Sequence, residues 1–383
     1  MKILHMADVH LDSKLSRYFD NEKARERRNE ILNTFTAAVE YAANEGVEAV
    51  IIAGDLFDVR NITATARDSV SDSIEQHPEI TFYYLRGNHD ADSFVQNMIE
   101  KRGGLPANLK MFSDTWTSYR QEASDGVTVV ITGAEMNADN NSRLVSSLVL
   151  NQDDFNIVVL HGQEVELASK KDAEVIPLRD YKNKGIDYMA LGHIHEPKIE
   201  QLDARGRYSY SGCLEGRGYD EIGQHGFNIL DIKSEGGKAT YEVHFTPFAK
   251  RIIHRIAMDL NEAGMDVITS QAIVRHIQKA AAEAGVEAKD MLRVELVGKI
   301  DSDAEIDVEY IRKSLENDFY HIKVVDLTKP SVSFEDFMLD KSLRGEFVRL
   351  IKEKAEQGEL SEDEAAVIAQ LGIDVLAGEG ITL

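Results

Sequence analysis

The chain has 383 residues, of which 43% are hydrophobic and 29% are charged, and its formal net charge is −24. This composition excludes a disordered protein, and the length predicts two or three folded domains, because one hydrophobic core rarely extends over so many residues. The negative charge argues against broad, nonspecific binding to nucleic acids. It leaves open a phosphate substrate that is held at bound cations, which invert the local charge.

The amino-terminal sequence and the cysteine content predict where the protein works. No small-residue cleavage site follows the first apolar stretch, no run of about 18 apolar residues is present, and Cys213 is the only cysteine. We therefore expect no signal peptide, no membrane span, no internal disulfide and a reducing, cytoplasmic location. Cys213 itself is expected to be a small buried residue.

Residues 1–248 alternate between strand-like and helix-like segments. KILHMAD predicts the first strand, residues 26–46 predict a helix that ends at Gly46, VEAVIIAGD predicts a buried strand, and residues 64–76 predict a second helix. Further strands are predicted in ITFYYLRGNHD, GVTVVITGAE, NIVVLHGQE and IDYMALGHIHEP. Each apolar run ends in polar residues, which indicates a layered α/β fold with functional groups at the carboxyl ends of the strands.

The last third of the chain has a different pattern. Residues 249–329 predict a small α+β unit with elements at Arg251–Leu260, Val267–Ala284, Met291–Ile300, Asp303–Phe319 and His321–Leu327. Residues 330–383 predict an acidic helical segment, whose final helix begins at a capping box in Ser361–Glu364. The apolar stripe of this segment packs either within the chain or on a partner; it consists of Phe334, Phe337, Leu343, Phe347, Leu350 and Ile351.

Residues of the types that bind metal ions follow five of the predicted strands. They are Asp8 and His10, then Asp55 with Asp58, then Asn88, His89 and Asp90, then His161, and finally His193 and His195. Residues two apart in a strand point to the same side, so Asp8 and His10 are expected to converge. Their oxygen and nitrogen atoms suit manganese, magnesium, iron or zinc, whereas a thiolate zinc site is excluded. We expect Gly54, Gly87 and Gly192 where the backbone turns sharply off a strand.

A purely structural alternative is that Asp8, His10 and Asp55 are buried polar groups that satisfy one another's hydrogen bonds. His5 points away from these residues in the predicted strand and is expected to be a packed core histidine. The basic loop residues either touch a nucleic-acid backbone or are solvated surface charges; they are Lys14, Arg17, Arg60, Lys170, Lys171 and Arg217.

The ordered motifs D-x-H, G-D-x-x-D, G-N-H-D, H-G and G-H-x-H resemble the signature of the calcineurin-like metallophosphoesterases. Within that superfamily the chain is most similar to the SbcD/Mre-type DNA-repair nucleases, on the stretches HMADVHLD, GDLFDVRN and YSGCLEGRGYDEIGQHGF. Cys213 stands where those nucleases more often have a serine. The resemblance is specific over residues 1–248 and looser over 249–383. It implies a four-layer αββα sandwich, a capping domain over 249–329 and a helical tail over 330–383.

The resemblance also implies roles for the residues of the motifs. One divalent ion, manganese or less well magnesium, would be held by Asp8, His10, Asp55 and His195. The second would be held by Asp55, Asn88, His161 and His193. His89 would be the catalytic histidine beside the scissile phosphate, with Asp90 in support. Asp58 stands where some archaeal members have a histidine, so we expect it to be either a supporting partner or a turn-stabilising carboxylate.

The function that the resemblance implies is a metal-dependent DNA nuclease, with 3′–5′ exonuclease action on duplex ends and endonuclease action on single strands or hairpins. It would form a homodimer and bind an SbcC-like coiled-coil ABC-type ATPase through the C-terminal helices. One alternative is a small-molecule phosphodiesterase or phosphatase, for example one that acts on cyclic nucleotides, and the net charge favours it. Another is a scaffold subunit with a vestigial metal site.

Overall fold

A computed structural model describes residues 1–58, 62–90, 93–123, 126–165, 174–235, 238–261, 268–300, 306–330 and 340–376. The chain divides into two compact units, Met1–His254 with Lys289–Met291, and Arg255–Ala288 with Leu292–Leu383. The predicted domain boundaries at residues 248 and 329 stay predictions. None of the helices in the described part of the chain has the length and apolar character that crossing a bilayer requires.

The first unit contains fourteen strands and five helices among the described residues. The strands are β1 (Lys2–Met6), β2 (Ala49–Ala53), β3 (Thr81–Leu85), β4 (Leu109–Met111), β5 (Thr117–Glu122), β6 (Thr128–Gly133), β7 (Phe155–His161), β8 (Gln163–Val165), β9 (Val175–Pro177), β10 (Tyr188–Gly192), β11 (Lys198–Gln201), β12 (Arg207–Tyr210), β13 (Gly226–Glu235) and β14 (Lys238–Pro247). The helices are α1 (Asn21–Asn44), α2 (Ala64–Gln76), α3 (Ser93–Arg102), α4 (Asn141–Ser147) and α5 (Leu178–Tyr181).

Two six-stranded mixed sheets form the centre of this unit, in the orders β14-β13-β1-β2-β3-β4 and β11-β12-β10-β7-β6-β5. Strands β1, β2 and β3 are parallel neighbours, as are β6, β7 and β10. Their registers align the strand ends, because Ala53 pairs with Leu85 and His161 pairs with Gly192. The carboxyl ends of the central strands of each sheet therefore lie together at one edge of that sheet.

The two sheets pack face to face and helices cover their outer faces. Ile51, Ile131 and Val159 belong to one buried cluster between the sheets. Burying each such side chain contributes roughly 1.5–3 kcal/mol. On the outer face of the first sheet, the ring of Tyr41 in α1 lies 5.3 Å from that of Phe227. On the outer face of the second sheet, Tyr181 of α5 joins a separate buried cluster. The predicted four-layer α/β sandwich is confirmed.

The second unit includes strands β15 (Ile253–Asp259), β16 (Met291–Val297), β17 (Lys299–Ile300), β18 (His321–Asp326) and β19 (Lys329–Pro330). Its helices are α6 (Ser270–Glu283), α7 (Val308–Leu315), α8 (Leu343–Glu356) and α9 (Glu362–Leu376). A three-stranded sheet, β15-β16-β18, packs against α6 and α7 through residues such as Ile277, Leu296 and Ile311. Helix α7 begins later than the predicted Asp303, because the Asp307 side chain caps it by accepting the Tyr310 N–H.

Helices α8 and α9 pack against each other through a small apolar cluster that includes Val348, Ile351 and Ile373. The predicted capping box is confirmed, because the Ser361 N–H donates to Glu364 at 2.9 Å and the Glu364 N–H donates to Ser361 Oγ at 3.3 Å. The residues of the predicted apolar stripe are partly packed and partly exposed. Phe347 and Ile351 pack within the pair, Leu343 and Leu350 are exposed, and Phe334 and Phe337 lie outside the described residues.

Candidate metal centre

The structure brings the seven predicted ligands to the shared edge of the two sheets. They follow or end the strands β1, β2, β3, β7 and β10, and they are Asp8, His10, Asp55, Asn88, His161, His193 and His195. The ligand atoms of Asp8, His10 and His195 lie within 4.8 Å of one another, as do those of Asp8, Asp55 and His161. Asn88 Oδ1 lies 3.1 Å from His161 Nε2, and the His193 ring centre lies 5.4 Å from that of His161.

Asp55 occupies the middle of this cluster. Its Oδ2 lies 3.4 Å from His161 Nε2 and 3.8 Å from His10 Nε2. Its Oδ1 accepts the backbone N–H of His89 at 2.9 Å, which fixes the orientation of the carboxylate. The side chain is only 3% exposed. Asp55 therefore lies against imidazoles on both sides of the cluster.

The histidine nitrogens that face into the cluster lack protons when the rings are neutral. His161 Nδ1 donates to the Ala53 carbonyl at 2.9 Å, so His161 Nε2 is an acceptor, although it faces the Asn88 and Asp55 oxygens. The Nε2 atoms of His10 and His195 face each other at 3.1 Å. The Nδ1 atom of His10 lies 3.2 Å from Asp58, and that of His195 lies 2.7 Å from Glu221.

Such an arrangement of acceptors is repulsive unless a cation or a proton lies between them. The alternative that Asp8, His10 and Asp55 satisfy one another is disfavoured, because the backbone N–H groups of His193 and His89 are the donors that reach the two carboxylates. Buried carboxylate oxygens and imidazole nitrogens are the ligands that divalent manganese, iron and zinc accept. The residues present thus fit a pair of divalent ions.

The close packing of these side chains also shifts their pKa values. Burial raises the pKa of Asp8 to about 6 and lowers that of His10 to about 4. Burial also disfavours the charged form of His161, but the carboxylates of Asp55 and Asp8 outweigh it and raise the pKa of His161 to about 9. Protons thus compete with cations for these ligands, so cation affinity falls as the pH decreases.

The ligands converge through strained loops rather than through extended strands. The prediction that Asp8 and His10 lie in a strand is wrong, because β1 ends at Met6 and both residues have left-handed backbones with φ near 50°. Asp55 and His193 have φ values of 52° and 100°. Each such residue costs about 1–3 kcal/mol. Hydrogen bonds hold the loops, since the Asp8 N–H donates to Gly54 O at 3.1 Å and the Asp8 carboxylate accepts the His193 N–H at 2.9 Å.

The predicted catalytic residues lie in two different surroundings. His89 is 45% exposed on its side chain, and its Nδ1 lies 3.0 Å from Asp58. Asp58 contacts both His89 and His10, so its carboxylate orients two imidazoles. Asp90 accepts the backbone N–H groups of Phe57 at 2.8 Å and Gly87 at 3.0 Å. Asp90 therefore supports the turns that carry Asp55 and Asn88 rather than orienting His89.

Sequence reasoning missed Glu221, and it left the role of Arg217 open. The interpretation of Arg217 as a solvated surface charge is wrong, because its side chain is 16% exposed and lies against His195. Glu221 lies 26 residues beyond His195, within the stretch YSGCLEGRGYDEIGQHGF that carries the resemblance, but only the fold shows that it reaches His195. Cys213 is buried, as predicted. His5 is a packed core histidine, as predicted, with Nδ1 2.9 Å from the Tyr188 hydroxyl.

The remaining basic loop residues lie away from these contacts or outside the described chain. Lys14 and Arg17 are exposed, while Arg60, Lys170 and Lys171 lie outside the described residues. Beside Asn88 and His161 a pocket of about 320 Å³ opens, with Arg86, Glu135 and Glu174 in its lining. The pocket adjoins the ligand cluster and has charges of both signs in its lining, so a group of a bound substrate can extend into it.

The glycine after β3 offers a test of how closely the cluster is packed. Of the three glycines predicted at sharp turns, only Gly54 has a positive φ. Gly87 is instead required for lack of space, because a Cβ atom there would lie 2.2 Å from Asp55 Oδ1. Gly87→Ala is therefore expected to displace Asp55 and weaken binding of Mn²⁺ at least about tenfold. That loss removes about 1.4 kcal/mol of the stabilisation that saturating Mn²⁺ gives the wild type.

Thermal unfolding with and without Mn²⁺ measures the effect. Gly104→Ala is the matched control, because nothing lies within 4 Å of a Cβ atom there. The control is expected to keep the full stabilisation by Mn²⁺. A Gly87→Ala protein that keeps it as well would contradict a role of Asp55 in binding cations.

Comparison with known proteins places the chain in a family. A sequence profile described as calcineurin-like phosphoesterase matches residues 1–197. The chain is 28% identical to the DNA double-strand break repair protein Mre11 of Aeropyrum pernix over 312 residues, which cover 76% of this chain and 71% of the relative.

Two further relatives are at similar distance. The protein of the same name from Sulfolobus acidocaldarius is 25% identical over 307 residues, covering 78% of this chain and 76% of the relative. The uncharacterized metallophosphoesterase YhaO of Bacillus subtilis is 26% identical over 276 residues, which cover 69% of this chain and 64% of the relative. Members of this family are metal-dependent phosphoester hydrolases, in agreement with the ligand cluster. The chain belongs to the calcineurin-like phosphoesterase family.

Proposed function

We propose that this protein is a DNA repair nuclease that hydrolyses phosphodiester bonds at the ligand cluster. The observation that carries the proposal is the convergence of six further acceptor side chains around Asp55, in a chain similar to Mre11 proteins of archaea. The substrate is DNA, with 3′–5′ exonuclease action on duplex ends and endonuclease action on single strands or hairpins. The acidic net charge of −24 makes binding depend on the cations of the site rather than on a basic surface.

We assign the ligands to two divalent ions, with Mn²⁺ as the preferred metal and Mg²⁺ as the alternative. Asp8, His10 and His195 hold one ion, Asn88, His161 and His193 hold the other, and Asp55 is shared. The contacts of Asp55 with both His10 and His161 support this assignment. Such an ion pair, when bound, activates water as a nucleophile and neutralises charge on the phosphate oxygens.

His89 is proposed to act on the phosphodiester directly. Its hydrogen bond to Asp58 raises the pKa of His89, so a larger fraction of the ring is positively charged near neutral pH. A partly exposed imidazolium at this position can donate a proton to the leaving sugar oxygen or stabilise negative charge on the phosphate. Asp58 orients the ring by accepting from Nδ1, which directs Nε2 away from that carboxylate.

The proposed catalytic role predicts the effect of removing His89. His89→Ala is expected to lower the rate of Mn²⁺-dependent cleavage of linear duplex DNA by about 10²–10⁴-fold, the usual range for loss of a general acid. His244→Ala is the matched control, because His244 is an exposed histidine in β14 of the same unit. Gel analysis of end-labelled DNA measures the rate, and labels at opposite ends reveal the polarity.

The same assay separates the alternatives. Hydrolysis of bis-p-nitrophenyl phosphate without cleavage of DNA would favour the small-molecule phosphodiesterase, which the net charge also favours. No hydrolysis of either substrate would favour a scaffold subunit, against which the complete ligand set argues. A His89→Ala protein with unchanged cleavage would contradict the proposed role of His89.

Helices α8 and α9 are proposed to bind an SbcC-like coiled-coil ABC-type ATPase. Val367, Leu371 and Val375 recur every four residues along α9, and all three side chains are exposed, Val367 at 67%. Leu343 and Leu350 of α8 are also exposed. Apolar stripes on a helix pair are the kind of surface that a partner helix or coiled coil covers. The homodimer stays a prediction from the resemblance, and the cytoplasmic location stays a prediction from the cysteine content.

Charges on the α9 stripe test this partner surface. The double variant Val367→Asp, Val375→Asp is expected to weaken binding of the ATPase at least about tenfold, because aspartate cannot be buried in an apolar interface without cost. Nuclease activity of the isolated chain is expected to be unchanged. Lys279→Asp places the same charge on an exposed position of α6 and is expected to bind normally. Co-purification of the double variant at the wild-type level would contradict the proposed surface.

A further inference from the structure

A buried carboxylate lies behind one of the proposed ligands. Glu221 Oε1 is 2.7 Å from His195 Nδ1, and the Glu221 side chain is 8% exposed. A carboxylate has no proton to offer when ionised, so the proton of this hydrogen bond belongs to His195 Nδ1. The neutral ring then has its lone pair on Nε2, the atom that faces His10 Nε2 across 3.1 Å.

Arg217 holds that carboxylate from the opposite side. Its Nη2 and Nε atoms donate to Glu221 Oε1 at 2.8 and 3.0 Å, and its backbone N–H donates to Oε2 at 2.6 Å. Arg217 Nη2 also lies 3.1 Å from His195 Nδ1. Since Arg217 and a protonated Nδ1 both carry donors, both turn toward Glu221 Oε1. The positive charge of Arg217 thus compensates the negative charge of Glu221.

The loop that carries both residues is fixed by its surroundings. Arg27 donates to the Gly216 carbonyl at 2.7 Å, and the Tyr18 hydroxyl donates to Asp220 at 2.6 Å. The Tyr18 ring leaves room only for glycine at Gly218, where a Cβ atom would lie 2.4 Å from it. These contacts hold Glu221 in place before any ligand binds.

We propose that Glu221, held by Arg217, is a positioning residue that fixes the tautomer and orientation of His195 for binding a divalent cation. The inference rests on the proposed function only in taking His195 as a ligand. A carboxylate that accepts from the far nitrogen of a ligating histidine makes that ring a stronger ligand, and its loss typically weakens metal affinity about 10–100-fold. Only the ion held by His195 should be affected.

The test measures binding of Mn²⁺ to the full-length protein in the absence of DNA. Calorimetric titration of the wild type is expected to give two ions per chain. In Glu221→Gln one of the two binding steps is expected to weaken about 10–100-fold, while the other keeps its affinity. Asp220→Asn is the matched control, because it removes the neighbouring negative charge of the same loop, while the asparagine oxygen can still accept from the Tyr18 hydroxyl and so keep the contact that holds the loop. The control is expected to bind both ions like the wild type.

A second variant leaves Glu221 in place. Arg217→Met removes the donors that hold the carboxylate and is expected to weaken the same binding step, so the inference stays testable if Glu221→Gln fails to fold. Two ions bound with unchanged affinity in both variants would overturn the role of Glu221. Equal weakening in Asp220→Asn would overturn it too, since the effect would then belong to the loop. A wild type that binds no Mn²⁺ would overturn the proposed metal centre itself, a failure distinct from the other two.

Discussion

At the shared edge of the two sheets, buried carboxylates and imidazoles crowd together, with ligand atoms within 4.8 Å of one another. Asp8 and Asp55 are almost fully buried there, and His10, His161 and His195 direct ring nitrogens at the same region. Two like charges 4 Å apart repel by about 4 kcal/mol where the effective dielectric constant is near 20. Divalent cations remove this repulsion, and the loops, the supporting carboxylates and the exposed His89 are arranged around the space they would fill.

The fold keeps these groups together against their repulsion and against backbone strain. The strain is local, at Asp8, His10, Asp55 and His193. The central strands β2, β7 and β10 behind the loops are regular and fully buried. Parallel neighbours align the strand ends, and backbone hydrogen bonds tie the Asp8 loop to the Asp55 loop. These contacts fix the candidate ligands relative to one another, and such preorganisation reduces the reorganisation that binding a cation requires.

Much of this could be predicted from the sequence, because each ligand directly follows an apolar strand and parallel strands end together. The positions of the candidate ligands at the strand ends and the capping box of the last helix follow from such local patterns, whereas the four layers and the choice of seven ligands follow from the resemblance to the family. Contacts between distant segments could not be predicted. Glu221 lies in a stretch that carries the family resemblance, but no pattern in that stretch predicts its contact with His195. In the same way, no pattern predicts that Asp90 accepts the backbone N–H groups of Phe57 and Gly87. The left-handed backbone conformations of Asp8 and His10 could not be predicted either, because a strand pattern does not indicate the residue at which the strand ends.

The central claim is that the cluster around Asp55 binds two divalent cations. Anomalous X-ray diffraction from crystals soaked in Mn²⁺ tests it most directly. We expect two anomalous peaks about 3.5–4 Å apart, one beside His10 and His195 and the other beside His161 and Asn88, with Asp55 next to both. A cluster without any peak, or a single peak out of reach of Asp55, would contradict the claim.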